Sequence, residues 1–557
     1  MKKAITRRTF LEISTKAGTG FLFSCTFGTD FDVIIKNGLV LDGLGGAGIK
    51  TDIGIKGEKI SAIGDLGKAS APVTVDASNL VVAPGFIDIH THTDKELLIN
   101  GNGVSKIMQG VTTEISGNCG SSPFPLSEAD AAEMSAQLKK EYEIDEKWYD
   151  ISGFFTALEK HKTSLNYASF TGHGDLRAYV VGKNDVVPDS RQMDEMKHLL
   201  EKSMQEGSLG LSSGLEYAPG SYAKTDELIE LSRVVSKHNG IYNTHMRNED
   251  DTLLEAIEEA LTICRKAEVS VEIAHLKACN RNNWYKVDKM LEMLADANLQ
   301  GLPVKADRYP YTAYGTGLST FLPLWSRQGD TEEIVARLKD KKQIQSILAY
   351  AQSRGKRIGG WDRVMISSCD TDQNKKWEGQ TIKNCAEEVS MPETEFIRTL
   401  LIDEKLHVGI VGFAMDEKNL CKVLSSPYVM IGSDGTAVAP QGKLGSGKPH
   451  PRYYGTFPRV LGKYCREEKC LDLPAAVKKM TSMPAEKLGL KERGIIKKGY
   501  FADITIFDPN TIIDKATFTN PHQTAEGIAY VFVNGQMTVE RARHTQIRAG
   551  KVLRHSA

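Results

Sequence analysis

Two histidines and a cysteine near the start of the chain are spaced as metal ligands would be. His90 and His92 stand two residues apart after the apolar run VVAPGFID, so on a strand their side chains share one face and can reach one ion. Cys119 lies in GNCGSS, and a thiolate is a strong zinc ligand that can bridge two ions. A buried core cysteine is the alternative, but the flanking glycines indicate a tight turn that opens onto a site.

Three further residues extend this set. His245 in YNTHMRNE, His275 in IAHLKA and Asp434 in IGSDG each end an apolar run. A single such histidine would usually have a structural role. Two histidines that end neighbouring strands, however, lie at the same end of the sheet and can face one site. The whole set predicts a metal site at which zinc activates water and a carboxylate carries the proton.

Short apolar runs that end in polar residues must position these side chains. Amphipathic stretches such as Asp189–Gln205 and Asp250–Ala267 lie between them, and this alternation indicates βα units around a parallel sheet. We therefore predict the α/β class and a distorted (β/α)8 TIM barrel, with its active site at the carboxyl ends of the strands. The eight candidate strands are GFIDIHTH, TTEISGNCG, YASFTGHG, GSLGLSSG, GIYNTHMRN, SVEIAHLK, VKADRYPY and YVMIGSDG.

Both ends of the chain follow a different pattern. Residues 31–82 and 490–557 contain alternating segments such as DFDVIIKNGLVLDG and FADITIFDPN, which predict a small β-sandwich domain built from both chain ends. The barrel then occupies residues 83–489. Its stretch at about 311–407 is too long for a simple loop and predicts an inserted lid subdomain beside the active site.

The composition is that of a globular protein and excludes some partners. The hydrophobic fraction of 41% and the charged fraction of 25% are ordinary values. The chain has 70 Lys and Arg against 71 Asp and Glu, a net charge of −1, so we expect no basic surface and no nucleic-acid partner. We find no uninterrupted apolar run of membrane-spanning length.

The first 25 residues have the features of an export signal. Arg7 and Arg8 begin RRTFL, and LFSC ends at Cys25, which resembles a twin-arginine signal followed by a lipobox. We therefore exclude residues 1–25 from the fold and expect a periplasmic protein whose only membrane contact is a lipid anchor at Cys25. An amphipathic N-terminal arm and a misassigned start codon are the alternatives.

The nine cysteines are scattered, without a CxxC spacing. Most lie in apolar segments, so we expect most to be buried. Cys465 and Cys470 are the pair that could form a disulfide.

The motifs around the candidate ligands resemble a known family. PGFIDIHTH, the two later single histidines and the final aspartate resemble the amidohydrolase superfamily. Its dihydroorotases and hydantoinases carry a metal-bridging lysine on the fourth strand, but GSLGLSSGLEYAPG contains no lysine. Cys119 is instead similar to the bridging cysteine of the N-acyl-D-amino-acid deacylases, or D-aminoacylases. The similarity runs from about Phe31 to the C-terminal strands and includes GLSSGLEYAPG, THMRNE, DRYPYTAYGTGLS and PHPRYYGTFPRVLGKY.

The resemblance implies a zinc-dependent enzyme that splits N-acyl-D-amino acids into a carboxylate and a free D-amino acid. Metal-bound hydroxide would be the nucleophile, and Asp434 would be the general base and then the general acid. The preference for the D-enantiomer depends on the resemblance alone. The implied ligands of a tightly bound zinc are Cys119, His245 and His275. The implied ligands of a second and weaker site are His90 and His92, with Cys119 and Asp434.

A substrate with a free carboxylate requires cationic partners. Lys277 lies two residues beyond His275, on the same face of its strand, and Arg452 in PHPRYYG could bind a carboxylate through two hydrogen bonds. Tyr309 or Tyr311 could add a further hydrogen bond to this carboxylate. A solvated lysine and an arginine in a structural ion pair are the alternatives for the two cations.

The side-chain preference and the reaction class stay open on the residues alone. Arg327 or Arg337 in the lid could favour acidic side chains, or either could be a surface residue. Another amidohydrolase, such as a cyclic amidase or a D- or isoaspartyl peptidase, is the nearest alternative. A non-catalytic exported metal-binding protein is a remote one, because all the candidate ligands are present together with Asp434.

Overall fold

The computed structural model describes residues 29–555. The predicted export segment, with Arg7, Arg8 and Cys25, lies outside the described residues. Within residues 29–555, no helix combines the length and the apolar character that crossing a membrane requires.

Strands and helices alternate through the middle of the chain, and strands dominate both ends. A π-helix, Val460–Glu467, directly continues the α-helix Arg452–Arg459. The strands are β1 (Val33–Val40), β2 (Ile49–Lys56), β3 (Lys59–Gly64), β4 (Val73–Asp76), β5 (Val81–Pro84), β6 (Phe86–Asp88), β7 (Val111–Ser116), β8 (Asn166–Ser169), β9 (Thr171–Gly172), β10 (Gly210–Gly214), β11 (Ile241–His245), β12 (Ser270–Ile273), β13 (Val304–Arg308), β14 (Tyr314–Gly317), β15 (Val364–Cys369), β16 (Val408–Gly412), β17 (Val429–Ile431), β18 (Ile504–Phe507), β19 (Ile528–Val533), β20 (Gln536–Glu540) and β21 (Arg543–His544). The α-helices are α1 (Glu96–Ile99), α2 (Val104–Ile107), α3 (Glu128–Tyr142), α4 (Ile151–His161), α5 (His173–Val180), α6 (Ser190–Gln205), α7 (Thr225–Lys237), α8 (Leu253–Ala267), α9 (Val287–Leu299), α10 (Thr331–Lys339), α11 (Ile344–Ile358), α12 (Ile382–Glu388), α13 (Glu393–Asp403), α14 (Glu417–Ser425), α15 (Arg452–Arg459), α16 (Leu473–Met480) and α17 (Ser482–Lys487).

Eight strand positions form the predicted barrel. β6, β7 and β8 pair in parallel, and a second parallel sheet has the order β9-β10-β11-β12-β13-β17. β8 and β9 are two parts of one strand, interrupted at Phe170. Past the strand ends, Thr91 forms a parallel bridge with Gly435, and the N–H of Asp434 donates to the carbonyl oxygen of His90 (2.8 Å). These contacts join β17 to β6, and the distorted (β/α)8 barrel is confirmed.

The outer helices form where the sequence has one apolar face. α8 buries residues at helical spacing, including Leu253, Ile257 and Leu261. α6 begins at a capping box in which the side chain of Asp189 accepts from the N–H of Gln192. Because an apolar helix face is buried against the sheet and the neighbouring helices, these helices cover the barrel and hold its strand ends in place.

The two ends of the chain meet in one nine-stranded sheet. β5 pairs antiparallel with β18, with Val82 opposite Ile506, and this contact joins the N-terminal and C-terminal segments. On one face, Val81 and Phe507 pack with Phe86 of the barrel. The other face has a core of its own, whose members include Ile53, Ile60, Ile504 and Phe532. The terminal domain is therefore fixed to the barrel and also has a separate core.

A subdomain is inserted between β13 and β17. Its strands form an antiparallel sheet in the order β14-β16-β15, and its core includes Leu318, Trp361, Ile366 and Phe396. The prediction ended this insertion at residue 407, but β16 is its central strand. The predicted end is wrong because the short run HVGIVG pairs inside the insertion and not in the barrel.

Cys470 is paired with Cys421 and not with Cys465. The Cα atoms of Cys421 and Cys470 are 5.6 Å apart, and the Ser425 hydroxyl donates to the carbonyl oxygen of Cys470 (2.7 Å). Cys465 is a partly exposed free thiol. The predicted pairing is wrong because α14 brings a partner 49 residues away, which sequence proximity does not reveal. The other free cysteines among the described residues are buried, as expected.

Candidate metal centre

The predicted ligands converge at the carboxyl ends of the barrel strands. His90 is completely buried, and the others line a cavity of 550 Å³ whose wall also includes residues of the inserted subdomain. His90 and His92 follow β6, Cys119 follows β7, and His275 follows β12. His245 is the last residue of β11, and Asp434 follows β17.

Four of these residues surround a common point. His90, Cys119, His275 and Asp434 each offer one donor atom, and these four atoms all lie within 4.8 Å of one another. Cys119 Sγ is 3.3 Å from His90 Nε2 and 3.5 Å from His275 Nε2. Asp434 Oδ1 is 3.6 Å from His90 Nε2. A thiolate, two imidazoles and a carboxylate form a donor set that suits zinc.

The remaining two histidines lie beside this group. His92 Nε2 is 3.0 Å from Asp434 Oδ1. His245 forms a second group of donors with Glu249 and His275. The two groups share His275, so they are overlapping sets of donors. The assignment of each ligand to a tight or a weak ion stays a prediction.

A tight turn presents Cys119 to the site, as its flanking glycines indicated. Gly117 has φ 71°, and a Cβ there would lie 2.2 Å from the carbonyl oxygen of Phe170, so this position requires glycine. Cys119, His275 and Asp434 also have left-handed backbone, at φ 53°, 35° and 51°. Such conformations cost about 1–3 kcal/mol each in non-glycine residues and concentrate at functional sites.

The charges around Cys119 favour its thiolate. Burial raises the pKa of this thiol, but the charges of His90 and His275 and hydrogen bonds from histidines outweigh burial and hold the pKa well below its usual value. Burial likewise raises the pKa of Asp434, and the Arg452 guanidinium and nearby imidazoles hold that pKa well below the usual range. Both groups are therefore anionic, and the thiolate is the form that binds a metal.

Two buried carboxylates orient the histidines, and the sequence did not identify this role. Asp307 Oδ2 lies 3.0 Å from His90 Nδ1, and Glu249 Oε1 lies 2.9 Å from His275 Nδ1. A carboxylate on Nδ1 fixes the ring and leaves Nε2 for the metal. Asp307 lies in ADRY and Glu249 in THMRNE. A carboxylate near the end of a predicted strand was the sequence signal for this role. The histidine that it contacts lies on another strand, so the sequence did not reveal the pair.

Lys277 lines the cavity but is already engaged. Its ammonium donates to Glu249 Oε1 (2.5 Å) and to the carbonyl oxygen of His275 (3.1 Å), and it lies 2.8 Å from His275 Nδ1. The predicted contact of Lys277 with a substrate carboxylate stays a prediction. The geometry shows that it holds Glu249 in place.

Arg452 and Tyr309 lie together on the cavity wall. Arg452 Nη1 is 2.8 Å from Asp434 Oδ2, yet its buried Nε and Nη1 make no hydrogen bond. The Arg452 guanidinium lies 4.7 Å from the centre of the Tyr309 ring. The buried hydroxyl of Tyr309 also makes no hydrogen bond. The two residues therefore offer adjacent donors to a carboxylate in the cavity.

Tyr311 is not among the residues that line the cavity. Its hydroxyl donates to Asp514 Oδ2 (3.1 Å), and the Arg459 guanidinium lies 4.6 Å from the centre of its ring. The prediction of Tyr311 as a substrate contact is not supported, because residue 514 of the C-terminal segment occupies its hydroxyl. Tyr309, two residues earlier, faces the cavity instead.

Comparison with protein families identifies relatives of this architecture. The amidohydrolase family model matches residues 73–340 and 429–539, and the gap between these ranges contains β15 and β16 of the inserted subdomain. A D-aminoacylase from Alcaligenes xylosoxydans xylosoxydans is 35% identical over 531 residues, which are 95% of this chain and 98% of that protein.

Two solved structures are similar over nearly the same extent. An N-acyl-D-glutamate deacylase from Bordetella bronchiseptica, complexed with zinc and a phosphonate mimic of the tetrahedral intermediate, is 32% identical with a TM-score of 0.78, covering 94% of this chain and 99% of that chain. A D-aminoacylase with a binuclear metal centre, in which one metal activates and a second attenuates, is 34% identical with a TM-score of 0.79, covering 94% of this chain and all of that chain. These identities are nearly equal, so they do not decide which side chain this protein accepts.

Proposed function

Because the chain belongs to the N-acyl-D-amino-acid deacylases of the amidohydrolase family, we propose that it hydrolyses the amide bond of N-acyl-D-amino acids with zinc. The products are a carboxylate and a free D-amino acid. The observation that carries the proposal is the position of Cys119 among His90, His275 and Asp434. In that position a thiolate can bridge two ions, which is the function of the lysine that β10 lacks.

The chain's own residues fit this cofactor. The donor atoms combine a soft thiolate with imidazoles, a combination that favours zinc over magnesium or calcium. When bound, zinc supplies a Lewis acid that polarises the amide carbonyl and lowers the pKa of water to about 7. We propose one tightly held ion at Cys119 and a second, weaker one, which the binuclear metal centre of the similar D-aminoacylase supports.

Asp434 is the residue that moves the proton. Its carboxylate is ionised and lies 3.0 Å from His92 and 2.8 Å from Arg452, so its position is fixed from two sides. An ionised carboxylate at this place accepts the proton of the attacking water and returns it to the leaving amine. His92 and Arg452 hold Asp434 in place during both transfers.

Arg452 and Tyr309 bind the carboxylate of the substrate. The Nε of Arg452 and the hydroxyl of Tyr309 are buried near Asp434 without a hydrogen-bond partner, and unpaired donors of this kind gain most from a charged acceptor. A substrate bound there has its amide next to Asp434 and the metal ligands. The preference for the D-enantiomer is supported by the relatives.

We also propose that the protein is exported and anchored through Cys25. Arg7, Arg8 and LFSC support this, and so does the Cys421–Cys470 disulfide, since disulfides persist in oxidising compartments. Twin-arginine transport of a folded protein would allow metal loading at Cys119 before oxidation.

A panel of acylated amino acids tests the function. Purified protein supplied with zinc should release free amino acid from N-acetyl-D-methionine and much less from the L-enantiomer, measured as initial rates. If the metal-replete protein hydrolysed neither enantiomer of any N-acyl amino acid, the proposal would be wrong. Faster hydrolysis of the L-enantiomers would overturn the stereochemistry alone.

A further inference from the structure

The positively charged side chains that line the cavity influence which substrate side chains can bind. Among the described residues, three lysines or arginines line it, and each has a carboxylate partner. They are Lys277, Arg354 and Arg452. The carboxylates that line the same cavity are more numerous and comprise Asp175, Glu216, Glu249, Asp250 and Asp434.

Arg354 enters the cavity from α11 of the inserted subdomain. Its Nη1 donates to Asp250 Oδ2 (3.1 Å), and its Nη2 donates to Glu216 Oε1 (3.3 Å). One guanidinium therefore serves two carboxylates, and both of its terminal nitrogens are engaged. Glu216 in turn lies 3.4 Å from His245 Nε2, which fixes this group beside the metal ligands.

The arginines that the sequence offered for an acidic side chain do not reach the cavity. Arg327 Nη1 donates to the carbonyl oxygen of Glu216 (3.1 Å). Arg337 Nη1 donates to the carbonyl oxygens of Ser326 (3.3 Å) and Gln328. Neither arginine is among the residues of the cavity wall; Arg327 joins the inserted subdomain to the barrel, and Arg337 bonds within the subdomain.

The wall that the subdomain contributes is uncharged apart from Arg354. β14 provides a face whose Thr316 hydroxyl lies 3.3 Å from the hydroxyl of Tyr217, and the Tyr217 ring packs 4.8 Å from the His245 ring. Thr316 is therefore close to the metal ligands. The other residues of this wall include Tyr314, Ser367, Ser368, Ile410 and Val411.

We infer that the enzyme prefers N-acyl-D-amino acids with neutral side chains and discriminates against acidic ones. This inference rests on the proposed function and names its substrate class. The carboxylate common to all substrates takes the unpaired Nε of Arg452 and the unpaired hydroxyl of Tyr309. A second carboxylate on the side chain finds Lys277 and Arg354 already paired and meets the carboxylates of Glu216 and Asp250 on the same wall. Burying a charge without a partner is unfavourable, whereas a neutral side chain meets hydroxyl and apolar groups.

An isosteric pair of substrates isolates the effect of charge. N-acetyl-D-glutamine and N-acetyl-D-glutamate have nearly the same shape, so their ratio of kcat/KM reports the charge alone. We expect the glutamine derivative to be hydrolysed at least about 100-fold more efficiently. Equal rates, or faster hydrolysis of the glutamate derivative, would overturn the inference. If the protein hydrolysed none of the N-acyl amino acids tested, including these two and N-acetyl-D-methionine, the proposed function would be overturned instead.

A substitution at Thr316 tests the physical reason. Thr316→Arg adds one cation to a cavity in which the carboxylates outnumber the lysines and arginines, and one charge-assisted hydrogen bond to the side-chain carboxylate should lower the glutamine-to-glutamate ratio by about 10-fold or more. Thr316→Gln, a long but uncharged side chain, should leave the ratio near that of the wild type. An unchanged ratio in a folded, zinc-replete Thr316→Arg protein would contradict the inference, as would the same decrease in Thr316→Gln.

Discussion

Cys119 determines the electrostatics of the metal centre because its thiolate lies between His90 and His275. The sequence predicted this residue from the glycines around it and from the missing lysine of the fourth strand. It did not predict Asp307 and Glu249 as partners of the histidines. A carboxylate that orients an imidazole is recognisable only when the neighbouring strand is in place.

The proton transfer assigned to Asp434 makes a prediction at the scale of one residue. Asp434→Asn keeps the shape of the side chain and removes its basicity. We expect kcat/KM for N-acetyl-D-methionine to fall by about 10²–10⁴, while the tightly held zinc at Cys119 is retained. Metal analysis and steady-state rates on the same preparation measure both quantities.

Asp370→Asn is the matched control for that substitution. Asp370 also pairs with a histidine, His407 Nδ1 at 3.0 Å, but this pair is exposed. We expect no change in rate or zinc content. A folded, zinc-replete Asp434→Asn protein with the wild-type rate would exclude Asp434 as the proton acceptor.

Strand ends and turns are the elements that place the site. Each of the eight predicted runs corresponds to a barrel strand, because an apolar run that ends in a polar residue is a local signal. The end of the insertion was harder to predict. HVGIVG has the length of a strand, but its sequence does not show whether it pairs in the barrel or in the sheet of the insertion. The pairing of Cys421 with Cys470 was hidden for a similar reason, because the contact depends on where α14 lies.

The turn after β7 makes a prediction at the scale of an element. Gly117→Ala adds a Cβ 2.2 Å from the carbonyl oxygen of Phe170 at φ 71°, so the turn must move. We expect the free energy of unfolding to fall by at least about 1–2 kcal/mol, measured by denaturant titration. The zinc content should fall as well, because the turn carries Cys119.

Gly46→Ala provides the comparison for Gly117→Ala. A Cβ at Gly46 would have no neighbour within 4 Å, so we expect wild-type stability and zinc content. If Gly117→Ala matched it in both measurements, the turn would not be what positions Cys119.

At the scale of the whole molecule, the barrel and the insertion line one cavity, and a terminal domain packs against the barrel. The terminal domain packs on the barrel through β5 and β18, and the insertion forms part of the cavity wall. The barrel therefore supplies the candidate metal ligands, and the insertion supplies part of the cavity wall.

The proposed export signal makes a prediction about the location of the molecule. Replacing both Arg7 and Arg8 with Lys keeps the charge and should retain the protein in the cytoplasm, measured by deacylase activity in cell fractions. Cys25→Ser should instead leave an exported protein without its lipid anchor. Periplasmic activity that survived the double substitution would rule out the twin-arginine route.

The central claim is that zinc held at Cys119 performs the hydrolysis. Titration of metal-free protein with zinc, followed by the initial rate on N-acetyl-D-methionine, tests it most directly. We predict no turnover without metal, a rise in rate with the first equivalent of zinc, and no such rise in Cys119→Ala. Turnover by the metal-free protein, or a wild-type response in Cys119→Ala, would contradict the claim.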